Sequence, residues 1–320
     1  MKNFKARLML VVTCGCCLAA AGCGGEYTFS RTKLLMGTTV EIKVLSANET
    51  QAEKAIEAAF TEISHVDNIA SIFKNDSEVS RLNRQGFSSD PELFEIIDRA
   101  LYVSKLTGGA FDITVIPLIK LWAIKTDKPR VPAEEEINRT LKMIGYQRIK
   151  LDYKIKKVYL NKVEVDLGGI AKGFAVDKAI MVLKRYGVQK GLVNAGGDIR
   201  FIGDKTWSIG LAHPRLKDKL VKEIKLKNKA IVTSGDYERY FIQRDKRYHH
   251  IINPATGYPA TECASVTIIS DDAATADALA TGVFVLGPRK GLALIERLKD
   301  TEGIIIDTQG NIYTSAGIQK

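Results

Sequence analysis

The feature that most narrows the fold of this chain is the distribution of its strand-like runs. They come in adjacent groups, and the amphipathic helical stretches fall between the groups. Strand-like runs cover 38–44, 157–166, 191–193, 207–212, 221–234, 239–243, 264–270 and 303–307. Helical periodicity marks 51–69, with Ile56, Phe60, Ile63 and Val66 on one face. Asp90 and Pro91 supply the cap and first turn of a second helix, whose inner face runs Leu93, Ile97, Leu101 and Ser104. Further helices are predicted over 133–144, stopped at Gly145, over 171–186, stopped at Gly187, and at 273–285 and 288–298. Strands that follow one another without an intervening helix pair antiparallel. The expected class is therefore α+β with largely antiparallel or mixed sheets and packed helices, not a doubly wound parallel sheet.

The N-terminus reads as an address. Lys2, Lys5 and Arg7 precede an apolar stretch from Leu8 to Gly22 that is short for a membrane span, and small residues gather before Cys23. Ala20-Ala21-Gly22-Cys23 resembles a bacterial lipobox, in which the cysteine is acylated and becomes the new N-terminus. The expected organisation is a signal peptide over 1–22, a lipidated Cys23 and tether over 23–30, and a single domain over 31–320. The protein is then exported and anchored by lipid to a bacterial membrane, on its periplasmic or outer face. Of five cysteines only Cys263 lies outside this segment, so the body has no internal disulfide and no cysteine metal site, and Cys263 reads as a buried thiol. The net charge is +10, but its basic residues alternate with others, as in 217–229, in the manner of a strand with a solvated face. No basic run is interleaved with aromatics, and no nucleic-acid partner is expected.

Four clusters carry chemistry. Val163 to Asp177 places Gly168-Gly169 between a strand-like run and a helix, with Lys172 in its first turn. Such a turn either cradles an anion with its backbone amides or is simply tight. It is neither a P-loop, since Gly173 follows the lysine, nor a dinucleotide fingerprint. A second pair, Gly196-Gly197, suits a hairpin that needs positive φ. His249 and His250 stand together before Asn253-Pro254 and Thr256-Gly257, where a histidine is either structural or a general base. Asp277 and Thr281, four apart on a helix, put a carboxylate and a hydroxyl on one side. Both are hard donors for Mg²⁺, whose remaining ligands a nucleotide substrate would supply. Ser270, Asp271 and Asp272 read as capping for that helix.

In order along the chain these pieces resemble the ApbE family of FAD:protein FMN transferases. The match runs through Met36-Gly37-Thr38, Phe73, Ser77-Glu78, Asn83, Thr107 to Asp112, Thr114, Pro117, and Asp166-Leu-Gly-Gly-Ile-Ala-Lys-Gly173. It continues through Asn194, Gly196-Gly197-Asp198, Thr233-Ser-Gly-Asp-Tyr237, His250-Ile-Ile-Asn-Pro254 and Ala276-Asp277 with Thr281. Asn253 stands where many relatives carry aspartate. The resemblance implies a duplicated T-fold-like α+β architecture. It implies an FAD site lined by Met36, Phe73, Ala110, Phe111, Asp112, Asp166, Lys172 and Ile251. It also implies Mg²⁺ on the Gly169 carbonyl, Asp277 and Thr281, helped by Ala280, with His250 as base. The implied reaction moves FMN from FAD to a threonine or serine hydroxyl of exported redox proteins and releases AMP. Two other readings use the same site: an FAD pyrophosphatase with water as acceptor, and a flavin-binding lipoprotein without turnover.

Overall fold

The computed structural model describes residues 25–124 and 126–318. The expected signal peptide and Cys23 lie outside the described residues. The expected tether does not reach residue 30, because β1 (Tyr27–Leu35) already begins at Tyr27. Met36 (φ 52°) and Gly37 (φ 70°) then make a two-residue turn of positive φ, which matches the twist of a hairpin. β2 (Thr38–Ser46) returns along β1 in register from Leu35↔Thr38 to Tyr27↔Ser46.

Next come α1 (Glu49–Ala70), capped by the Asn48 side chain, and α2 (Glu78–Gln85), capped by Ser77. β3 (Phe87–Ser88) leads into α3 (Pro91–Leu106), where the Asp90 side chain accepts from Leu93 N at 2.7 Å as the sequence predicts. α4 (Ile116–Trp122) and α5 (Glu134–Leu141) precede β4 (Ile149–Asp152) and β5 (Lys157–Leu160). The strand expected over 157–166 stops at Leu160. Beyond it the alternating Val163 and Val165 stay buried, but Val165 exchanges both of its backbone bonds with the Asn83 side chain, at 2.8 and 2.9 Å.

α6 (Ala171–Arg185) feeds β6 (Lys190–Ala195) and β7 (Asp198–Ile202). The run expected over 221–234 is two strands. β8 (Trp207–Ala212) pairs with β9 (Leu220–Leu226) as a separate ribbon, and a turn with Asn228 at φ 49° precedes β10 (Ala230–Gly235). β11 (Tyr240–Gln243) and β12 (Lys246–His249) form a second ribbon. β13 (Cys263–Ser270), α7 (Ala273–Ile295), β14 (Glu302–Asp307) and β15 (Ile312–Thr314) complete the described chain. α7 is two helices joined at Gly287 (φ 80°, ψ 171°), because Pro288 disfavours helical geometry at the residue before it.

Eight strands form one sheet in the order β1-β2-β6-β7-β10-β13-β14-β15, each pair antiparallel. Its halves repeat one plan. β1–β2 and β6–β7 flank a helical insertion ending in α6, while β10–β13 and β14–β15 flank α7. α1, α6 and α7 bury a continuous core with Ile42, Val193, Val232 and Val266. The β8–β9 ribbon covers Phe201, Leu192 and Ile231 in a second cluster, with Ile224 and Leu211 inward and Glu223 and Lys225 in solvent. α7 is long and apolar enough to cross a bilayer, but it is packed into this core.

Candidate active site

The site forms where the first turns of α6 and α7 meet. Their approach is so close that a Cβ on Gly173 would lie 2.1 Å from the Ala273 carbonyl oxygen. Each helix sends an aspartate to the start of the other. Asp177 of α6 accepts from Ala273 N at 2.9 Å and Ala274 N at 3.0 Å, and Asp277 of α7 accepts from Gly173 N at 3.2 Å. Asp272 also caps α7 through Thr275 N, while Ser270 donates to the Asp272 carbonyl and Asp271 pairs with Lys229. The capping role expected of those three residues therefore falls mainly to Asp272. At α6 the flanking residue is Ile170, which offers no side-chain cap.

The glycine turn before α6 is shaped by Asp166, whose Oδ1 accepts from Gly168 N at 2.8 Å. Gly169 faces Phe111 and Thr281: a Cβ there would stand 3.1 Å from the Phe111 ring and 3.6 Å from Thr281 Oγ1. Thr281 Oγ1 lies 3.4 Å from Ser234 Oγ at the end of β10. The glycine turn and the Asp277/Thr281 face of α7, about 110 positions apart in sequence, thus share one locus.

The electrostatics of that locus are unbalanced. Asp198, from the β6–β7 hairpin, and Asp277 are both buried, and one ammonium, Lys172, serves them; its Nζ meets Asp198 Oδ2 at 2.5 Å. Burial raises the pKa of Asp277, opposed by Lys172, by the Gly173 amide and by contact with the Asp198 carboxyl. Burial raises Asp198 as well, Asp277 adds to it, and Lys172 pulls the other way. Burial works against the charge on Lys172, but Asp277 and Asp198 outweigh it and its pKa ends above the ordinary lysine value. Glu238, exposed at the rim, lies within the electrostatic reach of Lys172 and Asp277. Two buried carboxylates around one lysine leave a deficit of positive charge, which is what a divalent ion with hard oxygen donors would correct. Among the described residues, no group of three or more His, Cys, Asp or Glu side chains could hold a metal unaided.

The second wall is the histidine segment. His249 is buried: its Nε2 donates to the Ala260 carbonyl at 2.6 Å, its Nδ1 accepts from Ile251 N at 3.3 Å, and burial lowers its pKa. It is a neutral, structural histidine. His250 follows on the more open side, with its backbone N donating to the Arg239 carbonyl at 3.1 Å and its Nδ1 3.3 Å from the same oxygen. Asp236 fixes the surroundings. Buried, it binds Arg215 through two 2.6 Å contacts and Arg247 at 3.1 Å, so the tip of the β8–β9 ribbon and the β11–β12 ribbon are tied to the end of β10. Asn253 closes the following turn through Ala255 N and Gly257 N.

The remaining expected residues sit as follows. Met36 is in the β1–β2 turn, beside the Gly196-Gly197 hairpin, where a Cβ on Gly196 would meet Thr38 Oγ1 at 2.3 Å. The hairpin reading of that second glycine pair is the one realised. Ala110 and Phe111 follow α3 in a turn secured by Thr107, and Phe111 reaches Gly169. Asp112 is nearly buried, and its carboxylate accepts from Thr114 N and Oγ1 and from Tyr146 N, which holds this loop in place. Phe73 is 80% exposed, an unusual position for a large apolar ring, and Ile251 and Ala280 are buried. Burial pushes the Cys263 thiol up to about 12, as befits a packed, unreactive cysteine. Asp177, Asp236 and Glu238 have no role among the sequence expectations, because their partners stand at no helical or strand spacing from them.

A family model described as the ApbE family matches residues 36–305. A FAD:protein FMN transferase of Treponema pallidum is 32% identical over 344 residues, covering 98% of this chain and 94% of its own. The crystal structure of the ApbE protein from Thermotoga maritima superimposes with a TM-score of 0.85 at 37% identity, covering 91% of this chain and 97% of that one. The apo flavinyl transferase ApbE of Pseudomonas stutzeri gives a TM-score of 0.81 at 29% identity, covering 91% and 96%.

Proposed function

The chain belongs to the ApbE family, and from that premise we propose that it transfers the FMN half of FAD to a serine or threonine hydroxyl of another protein and releases AMP. The observation that carries the reading is the meeting of the α6 glycine turn with Asp277 and Thr281 around a deficit of positive charge.

FAD would lie along Met36, Phe73, Ala110, Phe111, Asp166, Lys172 and Ile251, with its diphosphate at the α6 start. Backbone amides and the helix dipole favour negative charge there. The exposed ring of Phe73 is apolar surface that a flavin or adenine ring would cover. Asp112 serves by keeping the Phe111 loop in place. The donor set fits Mg²⁺: Asp277 and Thr281, the Gly169 carbonyl and the backbone near Ala280 would hold it. Once bound, it would neutralise the diphosphate and the charge on the departing phosphate.

His250 takes the proton from the acceptor hydroxyl. With Nδ1 donating to the Arg239 carbonyl, Nε2 carries the basic lone pair. The hydroxyl oxygen forms a bond to the FMN phosphorus as the bond from that phosphorus to the bridging oxygen breaks. AMP departs with the bridging oxygen, and the acceptor keeps FMN as a phosphodiester. Lys172 and the α6 start hold the diphosphate in line for this exchange.

The acceptors would be exported redox proteins, and the enzyme itself would be exported and held to the membrane through Cys23; the lipobox-like ending at Cys23 supports this part of the reading. The test is to mix the soluble body, FAD, Mg²⁺ and a candidate acceptor, and then weigh the acceptor intact. An added FMN with matching AMP is expected, and His250→Ala should slow transfer by about 100-fold or more while still binding FAD. FMN released free at the same rate with and without acceptor would make water the acceptor and overturn the transferase reading.

A further inference from the structure

Beside the proposed site lies a cavity of about 420 Å³, walled by β12, by the turn that follows His250 and by α7. Four observations join it to the reaction centre. Val285, on its floor, is four residues beyond Thr281, hence one helical turn, about 6 Å, further along the stripe that starts at Asp277. Tyr248 and Asn253, on its walls, bracket His250 in the chain. Ala260, also lining it, is the acceptor for His249 Nε2. Arg247, at its edge, is bound by Asp236, two residues after Ser234.

The residues that the FAD reading uses, Met36, Phe73, Phe111 and Gly169, do not line this cavity. Its size is within the range of specific binding pockets. β12 pairs only with β11 among the described residues, so its second edge offers backbone donors and acceptors without a strand partner. Such an edge takes up an extended chain as an added strand. Of its charged residues, Arg247 is already paired with Asp236 and Arg244 in the adjoining turn is followed by Asp245, which leaves Lys246 on β12, with Glu262 as the acid on the lining. The Lys246 ammonium rests over the Tyr248 ring at 5.4 Å, and both residues line the cavity.

We propose that this cavity is the acceptor subsite: it receives an extended segment of the acceptor protein along the β12 edge, with an acidic residue near Lys246, and so delivers the target hydroxyl to His250. The proposal rests on the transferase reading above and adds where the second substrate lies and what flanks its hydroxyl.

The test uses two 12-residue peptides, each with one central threonine, one flanked by Asp and Glu and the other by Lys. Each is incubated with the protein, FAD and Mg²⁺ and read by mass for added FMN. The acidic peptide should be labelled with a kcat/KM at least tenfold above the basic one. Lys246→Glu should narrow or reverse that ratio, and Thr261→Trp, which fills the cavity from an exposed position, should slow labelling of both. Equal labelling of the two peptides would overturn the proposal, as would no labelling of either while AMP is still formed. An equal loss of kcat/KM for FAD in Lys246→Glu would move the cavity to the FAD side and also overturn it. Absence of AMP under every condition would instead remove the transferase reading on which the proposal stands.

Discussion

Asp177 and Asp277 perform the same structural act in opposite directions, each leaving its own helix to hold amides at the start of the other, yet their surroundings differ. Asp177 is saturated: two backbone amides and the Arg200 guanidinium, at 2.5 Å, share its oxygens. Asp277 holds one amide at 3.2 Å and otherwise faces a second carboxyl and a lysine that both carboxyls share. A buried carboxylate with all its bonds made stabilises a fold; one with acceptor capacity to spare costs free energy that a proton or a ligand offsets. The two caps, both aspartates on neighbouring helices, thus differ in how fully their oxygens are bonded, and the proposed function gives a ligand only to the second.

The harshest way to break the pair is to force the helix starts apart. Gly173→Ala places a methyl 2.1 Å from a backbone oxygen that no rotamer change can move, and both caps depend on that contact. Overpacking of this kind should cost about 3 kcal/mol or more, and thermal unfolding should show it as a fall in Tm of roughly 5 °C or more. An unchanged Tm would mean that the two helices are not locked together here. A milder break is Asp177→Asn, which leaves Arg200 without its anion and weakens the α7 cap. It should cost about 2 kcal/mol in denaturant unfolding while the response of FAD binding to Mg²⁺ persists. Loss of that response in Asp177→Asn would erase the distinction between the two aspartates.

Much of this division could be read from the chain before its coordinates, and some could not. Helix ends were legible where local chemistry sets them, as at Asp90-Pro91 and Gly187. β1 was missed because it is exposed or half-buried along its whole length and so lacks an alternating apolar face. The run at 157–166 misled for the opposite reason: Val163 and Val165 alternate like a strand, but their segment is satisfied by Asn83, 82 residues away from Val165. The repeat of two hairpins around helices is topological and left no trace in residue identity. Gly169, Lys172, Asp277 and Thr281 could be singled out because a glycine pair before a helix and an i, i+4 carboxylate and hydroxyl are local patterns, and the fold brings them together. The duties of Asp177, Asp236 and Glu238 could not: Asp177 holds amides 96 and 97 residues on, and Asp236 holds arginines 21 residues before it and 11 after it, none at a spacing that marks a helix face or a strand face.

The smallest expected effect sharpens the same contrast at the two histidines. His249 has its pKa lowered by burial, so the unfolded chain binds its proton more readily than the folded one. Stability should then be full above the ordinary histidine value of about 6.5 and decline as pH falls below it toward the depressed folded value. Tm measured from pH 7.5 to 5.5 should fall on the acid side, and His249→Gln should flatten that limb. A slope of the opposite sign, with Tm rising on acidification, would contradict a buried neutral His249.

The proposed function places Asp277 beside a metal-bound diphosphate at the start of α6. Titrating FAD fluorescence with and without Mg²⁺, in the parent protein and in Asp277→Asn, decides this. The parent should bind FAD at least about tenfold more tightly with Mg²⁺; the variant should lose that gain yet unfold at the same or a higher temperature, having shed a buried, under-compensated charge. An Mg²⁺ gain of the same size in Asp277→Asn would contradict it.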